Sequence, residues 1–573
     1  MSGLSAVPRL RPIGPKRAPR RPGPYPGIPE KENHHVKTSS INRRRLSAVL
    51  LAVALGATAC GGDNGGTGTG ETGGSFSVQI NDPENPLVPG NTTESEGNQV
   101  LKALFTPLVD YDLETTEVVY EGVAESIESE DNKVWTVTLK DDWTFHDGTP
   151  VTSDSFINAW NYTANAENAQ GGAYFFSNIE GYDEENPSPE LSGLEKVSDT
   201  EFTVTLAQPF RQFPLTVGYM AFAPLPEVFF DDPEAFGRQP IGNGPFKADG
   251  EFVPAQGFTV SRFEEFAGED TPVADTVEFR VIPDINTAYN ELLGGNLDIV
   301  RPSIPPELIE TAQEELGDRF IEREAAGFDY LGFPTYDPRF ADKRVRQAFS
   351  MAIDREAITE AIFSGARQPA FDVIPPVIDG HREDACEYCQ YDPERAAELL
   401  AETDFDTAQP VDLWFNAGAG HDQWVTAAGN QLRDNLGITY QLRGDLEFAE
   451  YLPLQDQQGM TGPFRLGWGM DYPSPQNFLE PLFSSQARPP NGSNTTFYSN
   501  PEFDRLVAEG NQADSDDEAI ELYQQADDLL LEDMPIAPMF FRATQGAHSE
   551  NVSNVQFDAF QDVVLTQVQP NNG

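Results

Sequence analysis

Basic side chains are what this chain of 573 residues most lacks: 37 Lys and Arg stand against 93 Asp and Glu, a formal net charge of −56. Beyond residue 59 the only lysines are Lys102, Lys133, Lys140, Lys196, Lys247 and Lys343. Such a field repels phosphate backbones and excludes nucleic acid as a partner. Histidine is also scarce, with only His146, His381, His421 and His548 beyond residue 59. No HExxH, GxSxG or GxxxxGK[ST] occurs, so zincin, serine-hydrolase and P-loop chemistry have no carrier. Paired carboxylates are everywhere, but among 93 acidic residues any spacing arises by chance. Nothing in these residues argues for an enzyme, a cofactor or a metal. Cysteine occurs three times, at Cys60, Cys386 and Cys389. After Cys60 no apolar segment approaches the roughly 20 residues that a spanning helix needs.

The most telling passage is Arg43-Arg44-Arg45 followed by the small and apolar run 46–59. Charge and then a short apolar stretch make a secretory signal, so residues 1–59 are set aside from fold reasoning, including a Pro- and Arg-rich extension ahead of the triplet. The run ends Ala57-Thr58-Ala59-Cys60, which resembles a bacterial lipoprotein box, with Ala57 where that pattern usually has Leu. The resemblance implies diacylglyceryl transfer to the Cys60 sulfur, cleavage before it and acylation of the new amino terminus. At about 0.8 kcal/mol per buried CH₂, more than one acyl chain anchors stably. The alternative is an ordinary signal peptide with an incidental cysteine. Either way the working part is expected outside the cytoplasm, on the outer face of the cell membrane or in a periplasm. In that compartment the pair in Cys386-Glu387-Tyr388-Cys389 is expected as a disulfide. A zinc site would need more ligands than His381, its only near candidate.

Residues 61–75 read as a flexible Gly-rich tether. They contain Gly68-Thr69-Gly70-Glu71-Thr72-Gly73, a formal GxGxxG, but no strand precedes it and no helix follows, so the dinucleotide reading fails. The stretches 75–80, 134–140 and 202–206 alternate apolar and polar residues and predict half-buried strands. The spacing of Val345, Phe349, Ala352, Ile353, Ile358 and Ile362 predicts one helix over 342–363, stopped by Gly365. Asp392-Pro393 and Asn500-Pro501 are cap-plus-Pro starts for further helices, and 516–532 is a long one ending before Pro535. The irregular alternation indicates a large α/β or α+β body. Its acidic, lysine-poor surface resembles those of proteins from salt-loving organisms, where dissolved salt screens self-repulsion.

The stretch 464–472, Phe-Arg-Leu-Gly-Trp-Gly-Met-Asp-Tyr, carries the ligand argument. If it runs extended, Arg465, Gly467, Gly469 and Asp471 share one face, and Leu466, Trp468 and Met470 the other. Two glycines then strip a trough with a cation at one end and a carboxylate at the other. A zwitterionic extended ligand such as a short peptide suits it, bonded along the strand edge. The alternative is a glycine-kinked core strand with two solvated charges.

At this point the chain resembles a family, the extracellular solute-binding proteins of peptide-type ABC importers (family 5). The likeness spans 76–573 and rests on Trp135 to Thr152 around His146-Asp147-Gly148-Thr149-Pro150, on Gly242-Asn243-Gly244-Pro245-Phe246, and on 289–299 and 342–356. It implies an α/β, two-lobed periplasmic-binding-protein-like fold of class II type with an additional inserted domain. Lobe I is expected from 76–117, 238–326 and 536–573, the inserted domain from 118–237 and lobe II from 327–535. His146 and Asp147-Gly148 are expected to build a turn. By the same resemblance Asp471 holds a peptide amino group, Arg465 faces its carboxylate and His421 lies near its C-terminal end. Trp468, Gly467 and Gly469 form the strand between, and Thr93 and Glu94 the opposite edge. The implied function is capture of short peptides by a monomeric, lipid-anchored receptor that delivers them to membrane permease subunits. Alternatives are the same fold on an oligosaccharide, nickel complex or opine, and a secreted hydrolase.

Overall fold

The computed structural model describes residues 73–183, 186–417, 420–489 and 492–571. The signal, Cys60 and nearly all of the tether lie outside the described residues.

The strand Ser75–Ile80 departs from its own alternation: five of its six residues are buried, Ser77 and Gln79 among them. Position explains this. It runs parallel between Thr276–Val281 and Ile299–Val300, and interior parallel strands are covered on both faces. Two of its polar groups find partners inside, with Ser77 Oγ donating to Asp298 Oδ2 at 2.9 Å and Gln79 Nε2 to the Ile282 carbonyl at 3.0 Å. By contrast Val134–Leu139 and Glu201–Thr205 keep the predicted alternation, burying Trp135, Val137, Phe202 and Val204 from one face. They belong to a separate four-stranded antiparallel sheet with Ala124–Glu128 and Leu194–Ser198.

Eleven strands make the main mixed sheet. From one edge it runs Tyr440–Arg443, Val411–Trp414, Phe464–Gly469, Phe320–Gly332, Ile536–His548, Ile299–Val300 and Ser75–Ile80. Thr276–Val281, Gly257–Arg262 and Phe246–Ala248 complete it, and Gln368–Pro369 pairs beside Ile536–His548. Apolar side chains divide into two large cores. One gathers Ser75–Ile80, the four-stranded sheet and Val552 to Val568; the other gathers residues from Ala288 to Phe541. Two antiparallel strands of 13 residues, Phe320–Gly332 and Ile536–His548, pass from one core to the other. On the first of them Ile321 packs against one core and Phe328 and Tyr330 sit inside the other. Their register slips between Glu324 and Phe328, where the crossing occurs. The result is a two-lobed α/β body with shared strands between the lobes.

The helix expected over 342–363 is two, Lys343–Met351 and Arg355–Phe363. Asp354 Oδ1 accepts from the Ala357 amide at 2.9 Å and starts the second, so a local cap interrupts a periodicity that both helices bury in the same core. Asp392 and Asn500 cap their helices as the sequence predicts. At 145–149 the chain turns, with Gly148 at φ +83° and Asp147 accepting from the Thr149 amide and hydroxyl. His146 Nδ1 accepts from the Gly242 amide at 3.1 Å, which ties two sequence motifs into one joint. Cys386 and Cys389 are joined as a disulfide and both are buried.

Near that disulfide two carboxyls meet out of contact with bulk solvent, since Asp372 and Asp527 are both fully buried. Arg382 donates to Asp527 Oδ2 at 2.7 Å from its guanidinium and to Asp372 Oδ2 at 2.8 Å from its amide. One guanidinium balances one negative charge, so the pair holds a proton, which burial and the Asp372 charge keep on Asp527 well above the usual carboxylate range. The raised folded value means this stabilisation is complete at pH values below the ordinary carboxylate range and is lost as pH rises through the folded one. Thermal stability of the native protein is therefore expected to fall as pH rises above the ordinary carboxylate range. Asp527→Asn, which keeps a donor without the titration, should flatten that slope in calorimetry; an unchanged slope would refute the assignment.

Candidate functional site

A cavity of about 710 Å³ opens where the two long strands cross between the lobes. Ala325, Ala326 and Gly327 of the slipped segment form its floor, and Gly469, Met470 and Asp471 continue it. Thr93 and Glu94, just ahead of the helix Ser95–Leu104, face it with Tyr219 from the segment beyond the four-stranded sheet. Of the residues singled out in the sequence, the cavity brings together Thr93, Glu94, Gly469 and Asp471. Arg465, Gly467, Trp468 and His421 lie off its wall.

The strand Phe464–Gly469 pairs antiparallel with Phe320–Gly332 along one edge only. Its other neighbour, Val411–Trp414, reaches no further than Phe464. The Met470 amide donates to the Ala326 carbonyl at 2.9 Å, so by alternation the peptide groups of Arg465, Gly467 and Gly469 face the outer edge. Tyr451 Oη confirms that direction by donating to the Arg465 carbonyl at 2.8 Å. Among the described residues no strand covers Gly467 and Gly469 on that side.

The predicted trough is not empty. Asp329 stands directly across from Gly467 and draws in three guanidiniums: Arg465 at 2.6 Å, Arg542 at 3.1 Å and Arg367 at 3.2 Å. A Cβ at Gly467 would collide with the Arg542 guanidinium. The glycine thus clears a path for Arg542 rather than for a ligand, and Arg542 is the member of this group that lines the cavity. Burial opposes charge on Asp329, but Arg542, Arg465 and Arg367 together hold it far below the usual carboxylate range. Arg465 also donates to Asn416 Oδ1 at 3.3 Å.

Asp471 sits just past the strand end. Its amide donates to Asn477 Oδ1 at 2.9 Å and its Oδ2 accepts from Asn477 Nδ2 at 3.1 Å. Trp468 Nε1 donates to the same Asn477 oxygen at 3.2 Å, so one amide on the helix Pro475–Phe483 orients both residues. Burial pushes the Asp471 carboxyl up to about 7, and Asn477 is the one group that pulls it back; no cation among the described residues does. Glu94 is likewise raised by burial, and its Oε2 is buried without a partner. Lys102, the other cation on the wall, is spent on Asp558 at 2.6 Å and Asp562 at 2.9 Å. The side of the cavity lined by Glu94 and Asp471 therefore holds carboxyls that lack a counter-ion among the described residues.

His421 opens the helix His421–Leu436 and accepts at Nδ1 from Trp424 Nε1 at 3.2 Å. Burial and then the Arg465 charge push it down to about 3, so it stays neutral. Sequence reasoning missed Asp329, Arg367, Arg542 and Asn477. The available signal was a lone charge inside an apolar strand, as in Gly327-Phe328-Asp329-Tyr330-Leu331 and Met539-Phe540-Phe541-Arg542. Among the described residues no group of three His, Cys, Asp or Glu side chains is placed to hold a metal.

Two lobes, shared crossing strands and a polar cavity at the crossing define a two-lobed solute-binding protein. Residues 118–489 match the model of the bacterial extracellular solute-binding proteins, family 5 (middle region), and the chain belongs to that family. It is 27% identical over 462 residues to the periplasmic oligopeptide-binding protein OppA of Escherichia coli, covering 78% of this chain and 82% of that one. It is 25% identical over 538 residues to the oligopeptide-binding protein OppA of Bacillus subtilis, covering 90% and 96%. Among solved structures, the E. coli murein tripeptide-binding protein MppA superposes with a TM-score of 0.75 at 23% identity, over 87% of this chain and 99% of that one. The B. subtilis oligopeptide-binding protein AppA, solved with a nonapeptide, gives 0.72 at 21% identity, over 88% and 100%. These likenesses establish the fold. No helix among the described residues is long and apolar enough to cross a membrane.

Proposed function

We propose that the protein captures short peptides outside the cytoplasm and passes them to an ABC permease. The observation that carries this is the uncovered edge at Gly467 and Gly469, set between the Asp471 carboxyl, which has no cation beside it among the described residues, and the arginines around Asp329. A peptide lying along that edge meets main-chain partners in the middle and opposite charges at its ends. Its amino group goes to Asp471, with Thr93 and Glu94 on the facing wall and Trp468 held behind by Asn477. Its carboxylate goes to Arg465 and Arg542, with neutral His421 behind them. The oligopeptide-binding names of the relatives support the same ligand class. Affinity then comes from backbone and end charges, with the lobes closing over the bound peptide. The rest of the proposal is delivery: Cys60 carries the lipid anchor, 61–75 gives reach, and the receptor works as a monomer beside its permease.

The test is calorimetry with one peptide in two forms, free and N-acetylated. Acetylation removes the charge that Asp471 awaits and is expected to weaken binding at least tenfold. Equal affinity would reject the peptide orientation, and no binding of either form would reject the ligand class. Recovery of intact peptide after incubation separates a receptor from a hydrolase.

A further inference from the structure

Asp329, Arg465 and Arg542 sit on three adjacent strands, and Arg367 leads into Gln368–Pro369 on a fourth, so one charged row crosses the sheet. One carboxylate serves three guanidiniums, leaving two positive charges without a carboxylate partner among the described residues, in a chain whose net charge is −56. The charged groups bearing on Arg367 are Asp329, Arg542 and Arg465, with no second carboxylate among them. Arg367 is fixed in place by stacking over Phe363 at 4.3 Å and Phe540 at 4.8 Å. Arg465 Nε is buried with no acceptor. The helix His421–Leu436 begins beside this row, and Gly420 supplies no side-chain cap, so its first amides add further positive potential. Asn416 beside Arg465 carries no charge, burial keeps His421 neutral, and burial raises the Tyr330 and Tyr451 hydroxyls, so none of these neighbours supplies a negative charge.

A single peptide carboxylate would neutralise one of the two excess charges and leave the other. We infer that the arginine end of the cleft takes two carboxylates, so that the preferred ligands are short peptides whose C-terminal residue is Asp or Glu. This rests on the peptide reading above. It assigns Arg367 as a specificity residue: Arg542 and Arg465 serve the main-chain carboxylate, and Arg367 serves the side-chain one.

Calorimetry with peptides of two to five alanines ending in Glu or in its neutral isostere Gln tests it. At the length that binds best, the Glu peptide is expected to bind at least tenfold tighter. Arg367→Gln should weaken both, but the Glu peptide by at least tenfold more, and Arg367→Lys should recover part of the difference. Equal affinity of the two peptides overturns the inference while leaving the peptide reading intact, and so does an equal loss of both in Arg367→Gln. If neither peptide binds at any length, the peptide reading itself fails and this inference with it. Inorganic phosphate provides the other arm: if adding it raises the Gln peptide to the affinity of the Glu peptide, the row holds a free anion and the inference is overturned. Melting temperatures of both variants show whether any loss is one of folding.

Discussion

Asp471→Asn should lower peptide affinity at least tenfold and abolish its dependence on pH. The wild-type carboxyl is buried, is steadied only by Asn477 and titrates near 7. Its ionised form alone makes a charge-assisted bond to an ammonium, worth about 1.5–3 kcal/mol when the partner is charged. Without ligand, the raised value means that ionisation costs stability as pH rises through about 7. A peptide amino group reverses that cost by supplying the missing cation. Affinity is therefore expected to rise with pH across the range where Asp471 ionises, by about tenfold between pH 5.5 and 7.5, before the peptide's own amino group begins to lose its proton near 8. Asn has the shape and one donor too many, and carries no charge at any pH. Calorimetry of both proteins at several pH values checks this; an unchanged affinity, or a slope that survives the substitution, would remove Asp471 from the site.

Asp329→Asn is expected to cost about 3 kcal/mol of folding stability, the low end of the range for breaking a buried ion pair by deleting one partner. Asp329 is 2% exposed and holds three guanidiniums. Arg465, with 11% of its side chain exposed, regains little hydration, whereas Arg367 and Arg542 at 31% and 28% regain more by turning outward. That escape sets the estimate at the low end. Sulfate or phosphate should restore part of the loss by entering as a substitute anion. Urea unfolding with and without sulfate measures both effects, and a variant as stable as the wild type would mean that the arginines need no resident carboxylate.

What the sequence made legible was what local chemistry decides. The caps at Asp392 and Asn500, the half-buried strands of the small sheet and the turn around Gly148 each depend on neighbours within a few residues. The two-lobed architecture was legible through motifs spread over the chain. The charged row was not. Asp329, Arg367, Arg465 and Arg542 are separated by up to 213 residues in pairs that touch. Only the register between the strands Phe320–Gly332, Phe464–Gly469 and Ile536–His548, with Gln368–Pro369 paired beside the last, brings them together. The same limit produced the misreading of the trough. Alternation placed Gly467 correctly on the face of Arg465, but the occupant of the cleared space came from a strand seventy residues further on. Ser75–Ile80 erred in the other direction, because its alternation is real and its two-sided burial is set by strands paired to it much later in the chain.

The arginines around Asp329 already own an anion before any ligand arrives. An incoming carboxylate meets more positive charge than this one resident can balance, yet it shares the guanidiniums with a tenant that never leaves. Each bond it makes is set against one that Asp329 relaxes, so much of the ionic energy cancels and the net gain is modest. A receptor built this way holds its cargo firmly enough to carry it. As the proposed ligand carboxylate leaves, Asp329 is at hand to take the guanidiniums back, and letting go is made easy from within the protein itself.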